Sequence, residues 1–421
     1  MRRCLVALLI VSLSLVGLAS TLQYREGATT LQNSFAVTLK VSQVASISFF
    51  SEDFFNQGVL KSDLSIKNLP KFLSQVQARI TQITSRFTRV KGYAIFFYGI
   101  KFSPKAIQGL SQLIQNTQLQ DGSPLAAKLV QIGFVDNSVN NNDVSALVAL
   151  VNSLPNLEFF DAASNPHFDE ITPLILSLDG LKHFEGLNTR LTRLDSQSTF
   201  YLFRSILQNR WQGVALNLSD VFEANAFEKV LQQYSLRHIG IRCQNTVGRE
   251  SIDRLLKTMA KTQKPLYAIH LSLPESLTLT SQEVNWIVAL LNHNVNYLHV
   301  VTFNLAKATP KQLEQIVNAI AGVKHLYGLA LGANFLAVPS LANIIQGDND
   351  LVGFEPIGRV DVKALKALLP PPGSKKVLCV DTNRIVPLNA QVKVDEVLKD
   401  TLICSSNAAL QRYENWQDID H

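Results

Sequence analysis

Apolar and polar positions alternate along this chain in two rhythms that take turns. One is a short block with apolar residues at its first, fourth and sixth positions, as in Leu326, Leu329 and Leu331 of LYGLALGANFL. Such a block is too short for a helix and reads as a strand with one buried face. The other rhythm has helical spacing, as in Val144, Leu147, Val148, Val151 and Leu154. The strand blocks start at Leu129, Leu157, Leu181, Trp211, Leu236, Leu266, Leu298, Leu326, Leu351 and Val377. Nine intervals cover 248 residues, a mean near 27.6. A fixed clock of that length marks stacked repeats rather than a doubly wound α/β domain, which needs none.

Helix punctuation supports the unit. Thr309 precedes Pro310, and Gly322 follows the apolar positions Leu313, Ile316, Val317 and Ile320, which predicts an N-cap, a first-turn proline and an exit. Thr280 with Glu283 has capping-box spacing. Asp143 stands where it would accept from the first free N–H groups of the helix that follows Leu129. The predicted unit is strand, loop, helix. Stacked units share one parallel sheet, and helices are wider than strands, so the array curves with the sheet inside.

The pattern Leu-x-x-Leu-x-Leu-x-x-Asn resembles the leucine-rich repeat family, closest to its ribonuclease-inhibitor-like branch with long outer helices. The resemblance covers about residues 129–400, with Asn137, Asn165 and Asn334 at the ninth position. Other units place Thr189, Ser219, Gln244, Pro274, Ala306 or Arg359 there, so their turns must close differently. The resemblance implies an α/β solenoid, a horseshoe with a parallel sheet on its concave face and helices on its convex face. It also implies asparagines bonded along the stack and recognition of a macromolecule, most naturally a protein. Irregular repeats behind an apolar leader are similar to the leucine-rich proteins of intracellular bacterial pathogens, many of them secreted effectors.

The ends read differently. Met1-Arg2-Arg3-Cys4 and the apolar run Leu5–Ala19 form a basic head, an apolar core and small residues at Gly17 and Ala19. That is a secretory signal peptide; the apolar run is short for a membrane anchor. No later stretch is long and apolar enough for a second span. A secreted or periplasmic protein follows, with delivery to a host cell as an extension. Residues 20–92 are expected to be a partly helical cap, with a separate small domain as the alternative. Val44–Phe49 offers an early strand, and YAIFFY at 93–98 fits the strand pattern. The solenoid is expected over 93–400 and a C-terminal cap and tail over 401–421.

Composition narrows the function. The 421 residues are 47% hydrophobic and 17% charged, which excludes a disordered chain. Thirty-nine Lys and Arg against 33 Asp and Glu give +6, and without Arg2 and Arg3 the balance is 37 to 33. The excess forms no basic tract, which argues against a nucleic-acid partner. Four cysteines exclude a disulfide-dense scaffold. If Leu402-Ile403-Cys404 begins one more strand, Cys379 and Cys404 stand side by side within disulfide reach. No phosphate loop, dinucleotide fingerprint, HExxH, CxxC or nucleophile elbow is present, so no cofactor is expected.

Positions three and five of each strand face the concave side. They offer Asp161, His183, Glu185, His238, His270, Thr302 and Glu355, with Arg242 at position seven. Asp161 and Glu185 fall at position five of adjacent units. Paired carboxylates beside His183 suit acid–base or metal chemistry, which makes an exported hydrolase the runner-up. A solvated acidic patch, or one meeting a basic partner beside His238 and Arg242, is the plainer reading. Ala268, Val300, Gly328 and Ala330 leave the later half of that wall small and apolar. Asn217-Leu218-Ser219 matches a glycosylation sequon on a strand. The expected protein is a non-enzymatic, monomeric binding scaffold. A structural cell-envelope protein is a third reading.

Overall fold

A computed structural model describes residues 44–398 except 56, 89, 210, 263–264, 275, 306, 348, 352, 372–373, 375–377, 381–384, 390 and 393. The leader, the C-terminal tail, Cys404, Ala306 and Val377 therefore lie outside the described residues, as does the question of a Cys379–Cys404 bond.

One parallel sheet runs the length of the protein, its strands in chain order. They are β1 (Val44–Phe50), β2 (Gly92–Tyr98), β3 (Leu129–Val135), β4 (Phe159–Asp161), β5 (Gly186–Asn188) and β6 (Gly213–Leu218). Then come β7 (His238–Cys243), β8 (Ala268–Ser272), β9 (Val300–Asn304), β10 (Gly328–Gly332), β11 (Gly353–Val360) and β12 (Cys379–Val380). A short β13 (Ile385–Pro387) adds to the far end of β11. Each return between neighbours carries a helix or helical turn. This is a leucine-rich-repeat solenoid.

The sheet begins inside the stretch expected to be a cap. β1 pairs with β2 in continuous register from Val44 opposite Gly92 to Phe50 opposite Tyr98. Helix Leu69–Arg86 seals this end with Phe72, Val76, Ile80 and Ile83. Its N-cap Asn68 accepts from the Lys71 N–H at 3.1 Å, and a proline occupies its first turn. Phenylalanines stack from strand to strand beneath the sheet: Phe49 on Phe97 at 5.0 Å between ring centres, and Phe97 on Phe134 at 5.7 Å. The core is continuous from unit to unit, mostly aliphatic with aromatic members such as Phe168, Trp211, Phe227 and Phe303. Each repeat buries its apolar face only by stacking on the next, which is what couples them.

Helix ends follow the predicted punctuation with one exception. Thr309 accepts from the Gln312 N–H at 3.3 Å, Pro310 opens the helix and Gly322 caps its exit. Thr280 and Glu283 form the reciprocal capping box. Asp143 does not cap helix Val144–Asn152. Its carboxylate turns back to accept from the Asn140 N–H at 3.0 Å, within a 3-10 turn over Asn141–Asp143. The chain thus enters the helix through an extra tight turn, capped by Asn140.

Two registers differ from the expected pattern. YAIFFY fits the strand pattern with Tyr93, Phe96 and Tyr98 inward, but Ile95 pairs with Ile132 and Phe97 with Phe134 after a bulge at Tyr93, so Ile95 and Phe97 enter the main core while Phe96 and Tyr98 lie on the opposite face. The other is a displaced repeat start. Phe159 pairs with Gly186, and Gly186 with Gly213. The unit therefore opens at Phe184, not Leu181, and both flanking intervals become 27 residues. The ninth position of that unit is Thr192 rather than Thr189.

Candidate functional site

The turn after each strand is held by buried polar side chains. Asn137 donates to the Phe97 carbonyl at 2.8 Å and accepts from the Ile100 N–H at 2.7 Å. Asn165 accepts from Asn137 and Val139 N–H groups at 3.1 and 3.0 Å and donates to the Phe134 carbonyl at 2.7 Å. Asn334 donates to the Leu305 carbonyl at 3.0 Å. Thr192 continues the ladder where its unit lacks an asparagine. Beyond it, Ser219 donates its hydroxyl to Glu223 at 2.8 Å, so the turn closes on a helix carboxylate instead. The same bond engages the sequon's serine, and Asn217 is half-buried on β6. In the folded state that sequon is a strand element, not an open acceptor loop.

The displaced start dissolves the expected acidic pair. Asp161 on β4 stands beside Asn188 of β5, whose amide donates to it at 3.2 Å. Glu185 sits one position into its unit. Its backbone N–H donates at 2.7 Å to the Glu158 carbonyl, so its carboxylate neighbour along the sheet is Glu158. His183 is exposed in the turn before β5. Asp161, His183 and Glu185 therefore do not share a row of the sheet, and the arrangement required for the hydrolase reading is not built. Among the described residues no group of three or more His, Cys, Asp or Glu is arranged to hold a metal. No helix there is long and apolar enough to cross a membrane.

The concave floor is crowded rather than open. Inner side chains of neighbouring strands pack on one another, large residues over small ones. A methyl on Gly133 would stand 2.4 Å from the Phe96 ring, and one on Gly186 3.2 Å from that of Phe159. Phe50, Ala94, Phe96, Tyr98, Val135, Phe159 and Ala215 form a second apolar cluster on this face. Asp161, His238, Thr302 and Glu355 are buried in it or beyond it, none more than 1% exposed. His270 is half-buried and Arg242 is exposed. Ala268, Val300 and Ala330 pack as a small cluster of their own.

Burial sets the electrostatics. Desolvation pushes the Asp161 carboxyl up to about 6, against the Ala163 N–H at 2.9 Å, the Asn188 amide and the Arg190 charge, which favour the anion. Desolvation drives His238 down to about 3, helped by Arg237 and His299. His238 is thus neutral at ordinary pH. Arg190, at the end of β5, reaches across the floor to His270 on β8 at 3.3 Å. Ala215 and Gly240, on the two strands between, put no large side chain in its way.

Two features escape a reading confined to positions three and five. Arg190 and Asn188 belong to the floor, and correct 27-residue spacing on either side of Phe184 would have revealed them. Position two carries a partly exposed ladder. The Arg237 guanidinium lies 5.5 Å from the Tyr267 ring centre, Tyr267 stacks on His299 at 5.7 Å, and His299 on Tyr327 at 4.9 Å and 1°. The signal for it is residue type at one register position repeated over four units.

The geometry defines the class: a solenoid of the leucine-rich-repeat type, with a filled concave floor and exposed strand-end edges. No family model and no curated protein matches the sequence. Among solved structures, the chain is similar to an internalin of Listeria monocytogenes at 10% identity, covering 76% of this chain and 74% of that one with a TM-score of 0.27. It is also similar to the Rad7–Elc1 complex of yeast at 13% identity, covering 89% and 96% with a TM-score of 0.39. Neither overlay is close, and the class rests on this chain's own strand pairing.

Proposed function

We propose that the protein is an exported interaction scaffold that binds another protein. One observation carries the reading. Consecutive units of an extended, rigid stack push large apolar side chains into solvent: Leu176, then Phe200, then Phe222, 48%, 63% and 72% exposed. Isolated exposed leucines mean little, but protruding aromatics on successive units of a solenoid suit an interface. Export rests on the basic head and apolar run at residues 1–19. The buried state of Asp161, His238, Thr302 and Glu355 turns attention from the concave floor to the edges and helices. Arg242 and His270 remain the accessible members of the original set. Delivery to a host cell, and action there as a bacterial effector, would extend this reading.

The test is cross-linking of the secreted protein in its native setting, followed by mass determination of the adduct and reconstitution with the purified partner. A one-to-one complex that forms from pure components supports the scaffold. Recovery of only the uncomplexed chain, with tight cell-wall association, overturns it in favour of the structural envelope reading.

A further inference from the structure

Helices Arg249–Met259 and Ser281–His293 lie side by side on the outer face, and a charged seam joins their first turns. Arg249 donates through Nη1 to both carboxylate oxygens of Glu283, at 2.9 and 3.0 Å, and through Nη2 to the Thr278 carbonyl at 2.6 Å. Glu283 also accepts from the Thr280 N–H, which closes the capping box, and it is fully buried. One guanidinium thus pins one helix to the loop and first turn of the next.

Asp253 stands against this pin. It follows Arg249 by four residues, so both lie on one helix face. It is half-buried, and no donor meets its buried Oδ1. Its neighbour across the seam is the Glu283 carboxylate. Both oxygens of Glu283 are already accepting, so acceptor faces acceptor. Two carboxylates in contact resist ionising together, and a proton between them removes the conflict. Burial first, then the contact with Glu283 and its charge, holds the Asp253 carboxyl up at about 6 against the pull of Arg249. The other charges nearby are engaged elsewhere or exposed. Arg254 is held by Glu250 at 2.9 Å and by Asn225 at 2.6 Å. Glu228, on helix Val221–Gln233, accepts from Thr258 at 3.1 Å, and Lys257 is exposed.

We propose that Asp253 and Glu283 share a proton that keeps this seam closed, so that two neighbouring repeats are latched in acid and loosened near neutral pH. A single cation, Arg249, serves the two carboxylates. With the proton in place, Asp253 donates to Glu283 and Arg249 answers one negative charge. Once the proton leaves, Asp253 competes with Glu283 and the Thr278 carbonyl for the same guanidinium, and the pin weakens. The closed seam binds the proton more tightly than the open one. Closure is therefore favoured below about pH 6 and loses that support as pH rises through it. The device bears on recognition, because the same two repeats carry Arg242 on β7 and His270 on β8. It does not depend on the scaffold reading.

The test is amide hydrogen exchange of the full chain at pH 5 and pH 7.5, corrected for intrinsic rates and read by peptide mass. If Asp253 titrates normally in the opened seam, helices Arg249–Met259 and Ser281–His293 should lose about tenfold in protection at pH 7.5. Helix Pro310–Ala321, one repeat on, should keep its own. Asp253→Asn carries a permanent donor for Glu283 and should hold both helices at one level of protection at either pH. Carbon-13 carboxyl shifts give a second readout that does not depend on folding of that variant. The Asp253 carboxyl should titrate near 6 in the parent and lower in Glu283→Gln, which keeps a capping acceptor and removes the second charge. Equal loss of protection in all three helices, a loss that persists in Asp253→Asn, or an Asp253 midpoint that Glu283→Gln leaves unchanged would each overturn the proposal.

Discussion

The Thr192 hydroxyl stands where the asparagine of a neighbouring unit would be, accepting from the Asn165 N–H at 3.2 Å and donating to the Ala162 carbonyl at 3.3 Å. Both threonine and asparagine are fully buried. A hydroxyl can thus continue an amide ladder by serving one donor and one acceptor. Thr192→Val keeps the shape and leaves the Asn165 N–H unsatisfied, while the Ala162 carbonyl keeps the Asn165 amide as a donor at 3.0 Å, so the loss should be about 1–3 kcal/mol. Asn165→Ala should cost more, since that amide serves five backbone groups. Urea unfolding of the two variants checks the order, and a smaller loss for Asn165→Ala would show that the turns close without the ladder.

Asp161 makes stability fall as pH rises from about 4 to about 6. Its carboxyl titrates near 3.8 when unfolded and is held up at about 6 in the folded protein by burial. In that window the folded state keeps a proton that the unfolded state has lost, so folding is favoured at the acid end. The contribution is about 3 kcal/mol across the window. Asp161→Asn should remove this part of the slope. Unfolding midpoints at pH 4.5 and pH 7 test it, and an unchanged pH slope in the variant would place the proton elsewhere.

His238 acts in the opposite sense. Its imidazole is held down at about 3 against 6.5 unfolded, so the unfolded state takes up a proton that the folded state refuses. Stability from this site is fully present above pH 6.5 and is lost as pH falls toward 3. At pH 4.5 the loss is about 3 kcal/mol relative to neutral pH. His238→Gln should therefore be more stable relative to the parent at pH 4.5 than at pH 7. The measurement is the difference between the two pH values, which cancels any packing change common to both.

The sheet, its direction and its strand order were legible because apolar positions at a fixed spacing report a buried face. The displaced unit shows the limit. LKHFEG and FEGLNT both place apolar residues first and fourth, and neither has one sixth, so local pattern could not choose between Leu181 and Phe184. Pairing with β4 and β6 chose. That three-residue shift moved Glu185 out of Asp161's row and brought Asn188 in. Burial of the concave floor was not legible either. Alternation says which way a side chain points, while curvature decides how much room it finds. Phe222 was missed for a related reason: an apolar residue beside a helix cap looks like core until neighbouring repeats are in place.

Cys243 should be inert in the folded protein. It ends β7 inside the core, and burial pushes its thiol up to about 12. A thiolate is the reactive species, so both access and charge are denied. In a variant whose other three cysteines are serine, a thiol reagent at pH 8 should label Cys243 only as fast as the chain unfolds. Fast labelling without denaturant would mean that β7 opens locally.

Gly240 offers the most direct test of the curvature argument. A methyl there would stand 2.6 Å from the Ala215 Cβ and 3.0 Å from its Cα. Its backbone does not demand glycine, since it is not among the positive-φ glycines. On propensity alone Gly240→Ala should therefore help by about 0.5–1 kcal/mol. Overpacking costs about 1–3 kcal/mol, because the obstruction is a methyl and a backbone atom that cannot swing away. The clash wins, and Gly240→Ala should destabilise. Exchanging the pair, Ala215→Gly with Gly240→Ala, keeps one methyl between β6 and β7 and should recover most of the loss. That recovery would appear as a favourable coupling in a double-mutant cycle. If Gly240→Ala is neutral alone, the strands can spread and the floor is looser than its burial implies. If it is destabilising but not rescued, the obstruction lies with the backbone of β6 rather than with the Ala215 methyl.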